Sequence, residues 1–122
     1  SREQLVRHTQ IDYDREMVLV ATERDEHAVE SIIGEASYTV LPDSHGCEFG
    51  VVVADRVAGR GIATQLMGSL LDAARQRGLR TMVGEVLKDN GPMKGLVSSL
   101  GFAVAQADDP DILKVTRKLN DR

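Results

Sequence analysis

The stretch VVVADRVAGRGIATQLMGSLLDAA, residues 51–74, decides the fold. It opens on β-branched valines, which favour an extended, half-buried strand. Gly59 and Gly61 then mark a turn that also carries Arg56 and Arg60. From Ile62 the spacing becomes helical: Ile62, Leu66, Leu70 and Ala74 recur every fourth residue, flanked by Ala63, Met67 and Leu71. Arg75 and Arg77 suit the negative end of a helix dipole and Gly78 the position just past it, which predicts a helix over 62–77. A strand that passes through glycines into a helix can be a plain connection. It can also be an anion cradle, because the first N–H groups of a helix lack intrahelical acceptors and glycines admit a ligand closely.

On the upstream side, CEFGVVVA (47–54) reads as a strand with Cys47, Phe49, Val51 and Val53 on one face and Glu48, Gly50 and Val52 on the other. EMVLVATE (16–23) and VESIIGEASYTVL (29–41) read as two earlier strands, separated by polar turns at 25–27 and 42–46. Residues 3–9 read as the tail of a helix. Downstream, TMVGEVL (81–87) is a mostly buried strand, and Asn90 caps a second helix with Pro92 in its first turn. Met93, Leu96, Val97 and Leu100 form the apolar face of that helix, and Gly101 ends it. FAVAQA (102–107) and DILKVTRKL (111–119) close the chain as strands around an acidic turn at 108–111. The predicted order is β-β-β-α-β-α-β-β, an α/β fold with a mixed sheet.

The 122 residues, 42% of them hydrophobic, fit one domain over 1–122. A net charge of −4 without a basic tail argues against nucleic acid or an anionic membrane as partner. Cys47 is the single cysteine, so neither a disulfide framework nor a thiolate metal cluster is expected. His8, His27 and His45 are scattered without ligand spacing, so no metal is expected. No run approaches the roughly 20 apolar residues of a membrane span and no signal peptide opens the chain. The expectation is a soluble cytoplasmic domain. The chain opens on serine rather than methionine, which points to a piece of a longer protein.

Three phosphate motifs can be compared with the glycine turn. A Walker A string is absent. A dinucleotide fingerprint fails because Thr64 stands where its third glycine belongs and three strands come first. The remaining pattern, R-x-x-G-x-G, is matched by RVAGRG (56–61).

With that motif the chain resembles the GNAT acetyltransferase superfamily, in which [QR]-x-x-G-x-[GA] binds the acetyl-CoA pyrophosphate. A second block, GEVLKDNGPMKGLVSSLGF (84–102), is similar to the family's strand, asparagine, helix and terminal Leu-Gly-Phe. TQIDYDREM (9–17), CEFGVVVAD (47–55) and GEVLKDNGPM (84–93) resemble, more narrowly, the bacterial Pat-type protein lysine acetyltransferases. The resemblance implies a mostly antiparallel GNAT-type sheet flanked by helices. A full domain of that family begins with a strand and one or two helices, which lack a counterpart before residue 9. An N-terminally incomplete domain is therefore expected, with apolar surface that favours self-association.

The resemblance further implies acetyl-CoA as cosubstrate, without a metal, and a primary amine as acceptor, either protein lysine or a small molecule. A fused or partner acyl-CoA-synthetase-like region accompanies many Pat-type domains. A non-catalytic acyl-CoA-binding regulatory domain is the alternative of a different class. Cofactor contacts are expected at Val51, Val52, Val53, Arg56, Val57, Ala58, Gly59, Arg60, Gly61, Ile62, Ala63, Asn90 and Met93. Lysine's ordinary pKa near 10.4 means that a base must remove a proton before attack. Glu48 stands where Pat-type proteins carry a functional glutamate, with Gly50 leaving space beside it, and Glu85 is the second candidate. By the same resemblance, the Val53 N–H corresponds to a family position near the thioester, where such a donor would polarise the carbonyl. Many family members carry a tyrosine that protonates the departing thiolate; Val97 takes its place here, with Ser98 and Ser99 as weaker substitutes.

Overall fold

The computed structural model describes residues 3–9, 15–43 and 45–119. Seven strands make one sheet: β1 (Glu3–Thr9), β2 (Glu16–Arg24), β3 (Glu30–Val40), β4 (Gly46–Val53), β5 (Thr81–Leu87), β6 (Ala103–Gln106) and β7 (Ile112–Lys118). Their spatial order is β1-β2-β3-β4-β5-β7-β6. Helix α1 (Ile62–Arg77) joins β4 to β5, and α2 (Gly91–Ser99) joins β5 to β6. Neighbouring strands are antiparallel except β4 and β5, whose parallel pairing requires a crossover, here α1. That parallel ladder holds only three pairs, Gly46↔Thr81, Cys47↔Met82 and Glu48↔Val83, and beyond it the strands part.

Both helices pack into a core on one face of the sheet. Leu66, Met67, Leu70 and Ala74 of α1 and Val97 of α2 meet Leu19, Ala36, Tyr38, Cys47 and Met82 there. The alternation along β4 sends Cys47 and Phe49 into this core and Glu48, Gly50 and Val52 to the opposite face. That opposite face is open: Val52 is 72% and Ile32 66% exposed. On the covered face the Phe49 ring packs on Phe102 with centroids 5.3 Å apart and crosses β5 at Gly84. A Cβ at Gly84 would come within 2.3 Å of the Phe49 ring. Gly84→Ala should therefore destabilise the fold by about 1–3 kcal/mol through overpacking. An unchanged urea midpoint would show that the ring can move aside.

Residues 3–9, expected as a helix tail, form β1 instead. A helix this short does not sustain itself, whereas β2 offers a row of backbone partners from Glu3↔Arg24 to Thr9↔Val18. The first helix among the described residues is thus α1, after four strands. The acidic turn at 108–111 is the tip of the β6–β7 hairpin, held by Gln106 Nε2, which donates to the carbonyls of Ile112 (2.9 Å) and Asp109 (3.1 Å).

Candidate functional site: a cleft at the parting of β4 and β5

After β4 the chain makes one 3₁₀ turn, Asp55–Val57, and reaches two glycines with positive φ, 84° at Gly59 and 78° at Gly61. A Cβ at either would meet nothing within 4 Å, so the constraint there is backbone conformation, not packing. Gly61 is the N-cap of α1, no side chain caps this end, and the first turn contains no acidic residue. The first α-helical bond joins the Gln65 N–H to the Gly61 carbonyl at 3.0 Å, so the N–H groups of Ile62, Ala63 and Thr64 have no acceptor within the helix. They form an anion-favouring terminus, reinforced by the helix dipole.

This terminus opens into a cleft of about 630 Å³ between α1 and α2. Val51 and Val53 of β4 form its floor, with Val57, Ala58, Gly59, Gly61, Ile62 and Ala63 along one side and Asn90 and Met93 on the other. The Ala54 N–H donates to the Ile33 carbonyl on the β3 side at 2.8 Å. Consecutive strand N–H groups point to opposite sides, which directs those of Val53 and Val51 toward β5, beyond the end of the parallel ladder. The Asn90 side chain caps α2 by accepting from the Met93 N–H at 3.2 Å while also lining the cleft.

Three residues expected as cofactor contacts are not among those lining the cleft. The Val52 side chain projects from the open face, because alternation along β4 places it with Glu48. Arg56 and Arg60 do not line the cleft. Both guanidiniums turn to the buried Glu23 carboxylate, each at 3.0 Å. Conversely, Asp55, Thr64, Pro92, Gly95 and Leu96 line the cleft without having been expected as cofactor contacts, and Ser99, expected only as a weaker substitute acid, lines it too. Four of them carried a usable signal: 92, 95, 96 and 99 recur at helical spacing on α2, beside the core stripe of 93, 96, 97 and 100.

Glu48 is exposed on the open face, in the last pair of the parallel ladder, with Thr39 beside it on β3 and Val83 on β5. Glu85 is exposed on the same face, two residues further along β5, and lies opposite Lys114 of β7. Val97 is fully buried in the core. Ser98 is exposed, and the Ser99 hydroxyl donates to the Leu96 carbonyl at 2.8 Å, which occupies its proton. Among the described residues no three His, Cys, Asp or Glu side chains converge on a metal position, and no helix is long and apolar enough to cross a membrane.

Cys47 is fully buried, and burial pushes its thiol up to about 12. At pH 8.5 the native protein should resist iodoacetamide while the unfolded chain reacts, because the thiolate is the nucleophile. The unfolded thiol ionises near 8.5, so Cys47's contribution is complete below that pH and is lost as pH rises toward about 12. Cys47→Ala should flatten this part of the stability–pH curve, as denaturant titrations would show.

The model of the Acetyltransferase (GNAT) family matches residues 1–102. The chain is 33% identical over 109 residues to Acetyltransferase PA5475 of Pseudomonas aeruginosa, covering 89% of this chain and 58% of that protein. It is 33% identical over 92 residues to an L-methionine sulfoximine/L-methionine sulfone acetyltransferase of the same species, covering 72% and 51%. Against Acetyltransferase Pat of Mycolicibacterium smegmatis the identity is 30% over 102 residues, covering 81% and 29%. The chain thus spans little more than half the length of the first two relatives and less of the third. Among solved structures, the GNAT domain of S. lividans PAT superposes with a TM-score of 0.77 at 21% identity, over 90% of this chain and 64% of that one. The yncA protein of Salmonella typhimurium, solved with acetyl-CoA, gives 0.72 at 26% identity, over 88% and 66%. With the strand order, the glycine turn and the parted strands all in place, the chain belongs to the GNAT acetyltransferase family.

Proposed function

We propose that this chain transfers the acetyl group of acetyl-CoA to a primary amine, with protein lysine as the favoured acceptor. The observation that carries the reading is the parting of β4 and β5 directly after the Glu48↔Val83 pair. The cleft lies on the covered face, and Glu48 lies on the open face at the last pair before the strands part. Acetyl-CoA fits the residues present: uncapped N–H groups at the α1 terminus suit a pyrophosphate, and the open space above Gly59 and Gly61 lets it approach. The pantetheine arm would run along Val53 and Val51 and accept from their N–H groups, which lie beyond the end of the β4–β5 ladder. From Val53 back to Glu48 is about 16 Å of extended chain, a distance on the scale of that arm.

The amine enters from the open face. Glu48 takes its proton, directly or through a water, and the neutral nitrogen attacks the thioester carbonyl carbon. A backbone N–H of β4 stabilises the negative charge that builds on the carbonyl oxygen. Collapse breaks the carbon–sulfur bond and expels the CoA thiolate, whose ordinary pKa near 8.5 lets it leave without a dedicated acid, and the second proton of the new amide nitrogen passes to solvent or to that thiolate. No covalent acyl-enzyme is formed. An acyl-CoA-synthetase-like partner region belongs to the same reading, since it accompanies the Pat-type resemblance.

The similarity to an L-methionine sulfoximine/L-methionine sulfone acetyltransferase favours a second reading, a small amino-acid-like acceptor. Free-thiol release from acetyl-CoA separates the two. Release with lysine-bearing proteins, accompanied by acetyl-lysine in the product, supports the first reading. Release only with free amino acids supports the second. Binding of acetyl-CoA without release for any amine would leave an acyl-CoA-binding regulatory domain.

A further inference from the structure

We infer that Glu23 is a positioning residue for the phosphate-binding turn, an inference that rests on reading this turn as the acetyl-CoA cradle. Glu23 lies in β2, far from the turn in sequence, and its side chain is 1% exposed. A carboxylate so buried is costly unless paired and hydrogen-bonded. Here each oxygen has its own guanidinium: Oε1 accepts from Arg56 Nη1 and Oε2 from Arg60 Nη1, both at 3.0 Å. Arg56 also reaches the Ser31 hydroxyl of β3 at 3.2 Å. Arg56 and Arg60 bracket residues 57–59, and Gly61 follows directly. One carboxylate in the sheet therefore ties down both ends of a turn whose glycines give it little stiffness of its own.

Two effects of this carboxylate on phosphate binding oppose each other. It offsets two positive charges that would attract phosphate, and it fixes the backbone donors that phosphate needs. The guanidiniums are half exposed, so their long-range attraction is screened by solvent. The backbone donors act only when aligned, and charge-assisted hydrogen bonds are the stronger interaction. Without the carboxylate, two guanidiniums gathered at one point would repel and pull the turn apart. Positioning outweighs neutralisation.

The sign of the effect tests this. Binding of acetyl-CoA and of acetyl-pantetheine, which carries the same thioester but no pyrophosphate or nucleotide, is measured by NMR titration on the full chain. Glu23→Gln is expected to weaken acetyl-CoA about fivefold and to leave acetyl-pantetheine unchanged, with Glu23→Asp recovering part of the loss. Tighter acetyl-CoA binding would overturn the inference in favour of neutralisation. Equal losses for both thioesters would overturn it in favour of general distortion. Should circular dichroism show Glu23→Gln unfolded, Arg56→Gln, which leaves Glu23 paired with Arg60, replaces it. The same selective loss is then expected, and no loss overturns the inference. Wild-type protein that binds both thioesters equally would overturn the cradle reading itself, and with it this role of Glu23.

Discussion

Glu48→Gln is expected to lower turnover by about 10² to 10⁴, the range of a positioned general base, while acetyl-CoA affinity stays close to wild type. The amide keeps the shape of the side chain but cannot accept the amine's proton. The position tolerates the change, because Glu48 is exposed and on the open face. Lysine's ordinary pKa near 10.4 leaves a small neutral fraction at pH 7, so raising the pH should restore part of the mutant's rate. Thiol release followed from pH 7 to 10, beside calorimetric binding of acetyl-CoA, measures both effects. Near-normal turnover in Glu48→Gln would transfer the role to Glu85 or to water. Glu85→Gln, measured in parallel, decides between those two.

Gly61→Val should weaken acetyl-CoA at least tenfold, or about 1.4 kcal/mol. Gly61 has φ of 78°, a conformation that a β-branched residue strongly resists. The added side chain would also enter the open space through which the phosphates come. Gly61→Asn separates the two causes, since asparagine adopts positive φ readily but still fills that space. Both variants should bind poorly if access is what matters. Wild-type affinity in a folded Gly61→Val protein would remove the α1 terminus from the binding site.

Much of this architecture was legible in the chain because it is written locally. The four-residue spacing of Ile62, Leu66, Leu70 and Ala74 placed α1, and Gly78 closed it with φ of 86° as a C-cap glycine should. Asn90 and Pro92 marked the start of α2, and alternation along β4 assigned its two faces. What escaped depends on contacts distant in sequence. Nothing near Arg56 or Arg60 announces a carboxylate on β2, so their charges looked available for phosphate until the fold brought Glu23 beneath them. Residues 3–9 look helical in isolation, and only the unpaired edge of β2 makes them a strand. The Glu48 assignment rests on resemblance to Pat-type proteins. The structure adds its exposed position at the last pair of the parallel ladder.

The short ladder between β4 and β5 also has a meaning for how the molecule folds. β1 to β4 form a meander of chain neighbours, on which α1 packs, and β5 to β7 form a second unit of near neighbours. Each closes small loops, which costs little chain entropy and proceeds quickly. Three parallel pairs sew the halves together, and these must wait for the α1 crossover to close. Amides at 46–48 and 81–83 are therefore expected to gain protection from hydrogen exchange last and to lose it first, which pulsed exchange would measure. A ligand lying across that parting grips both halves at once, so its binding energy also holds the seam shut.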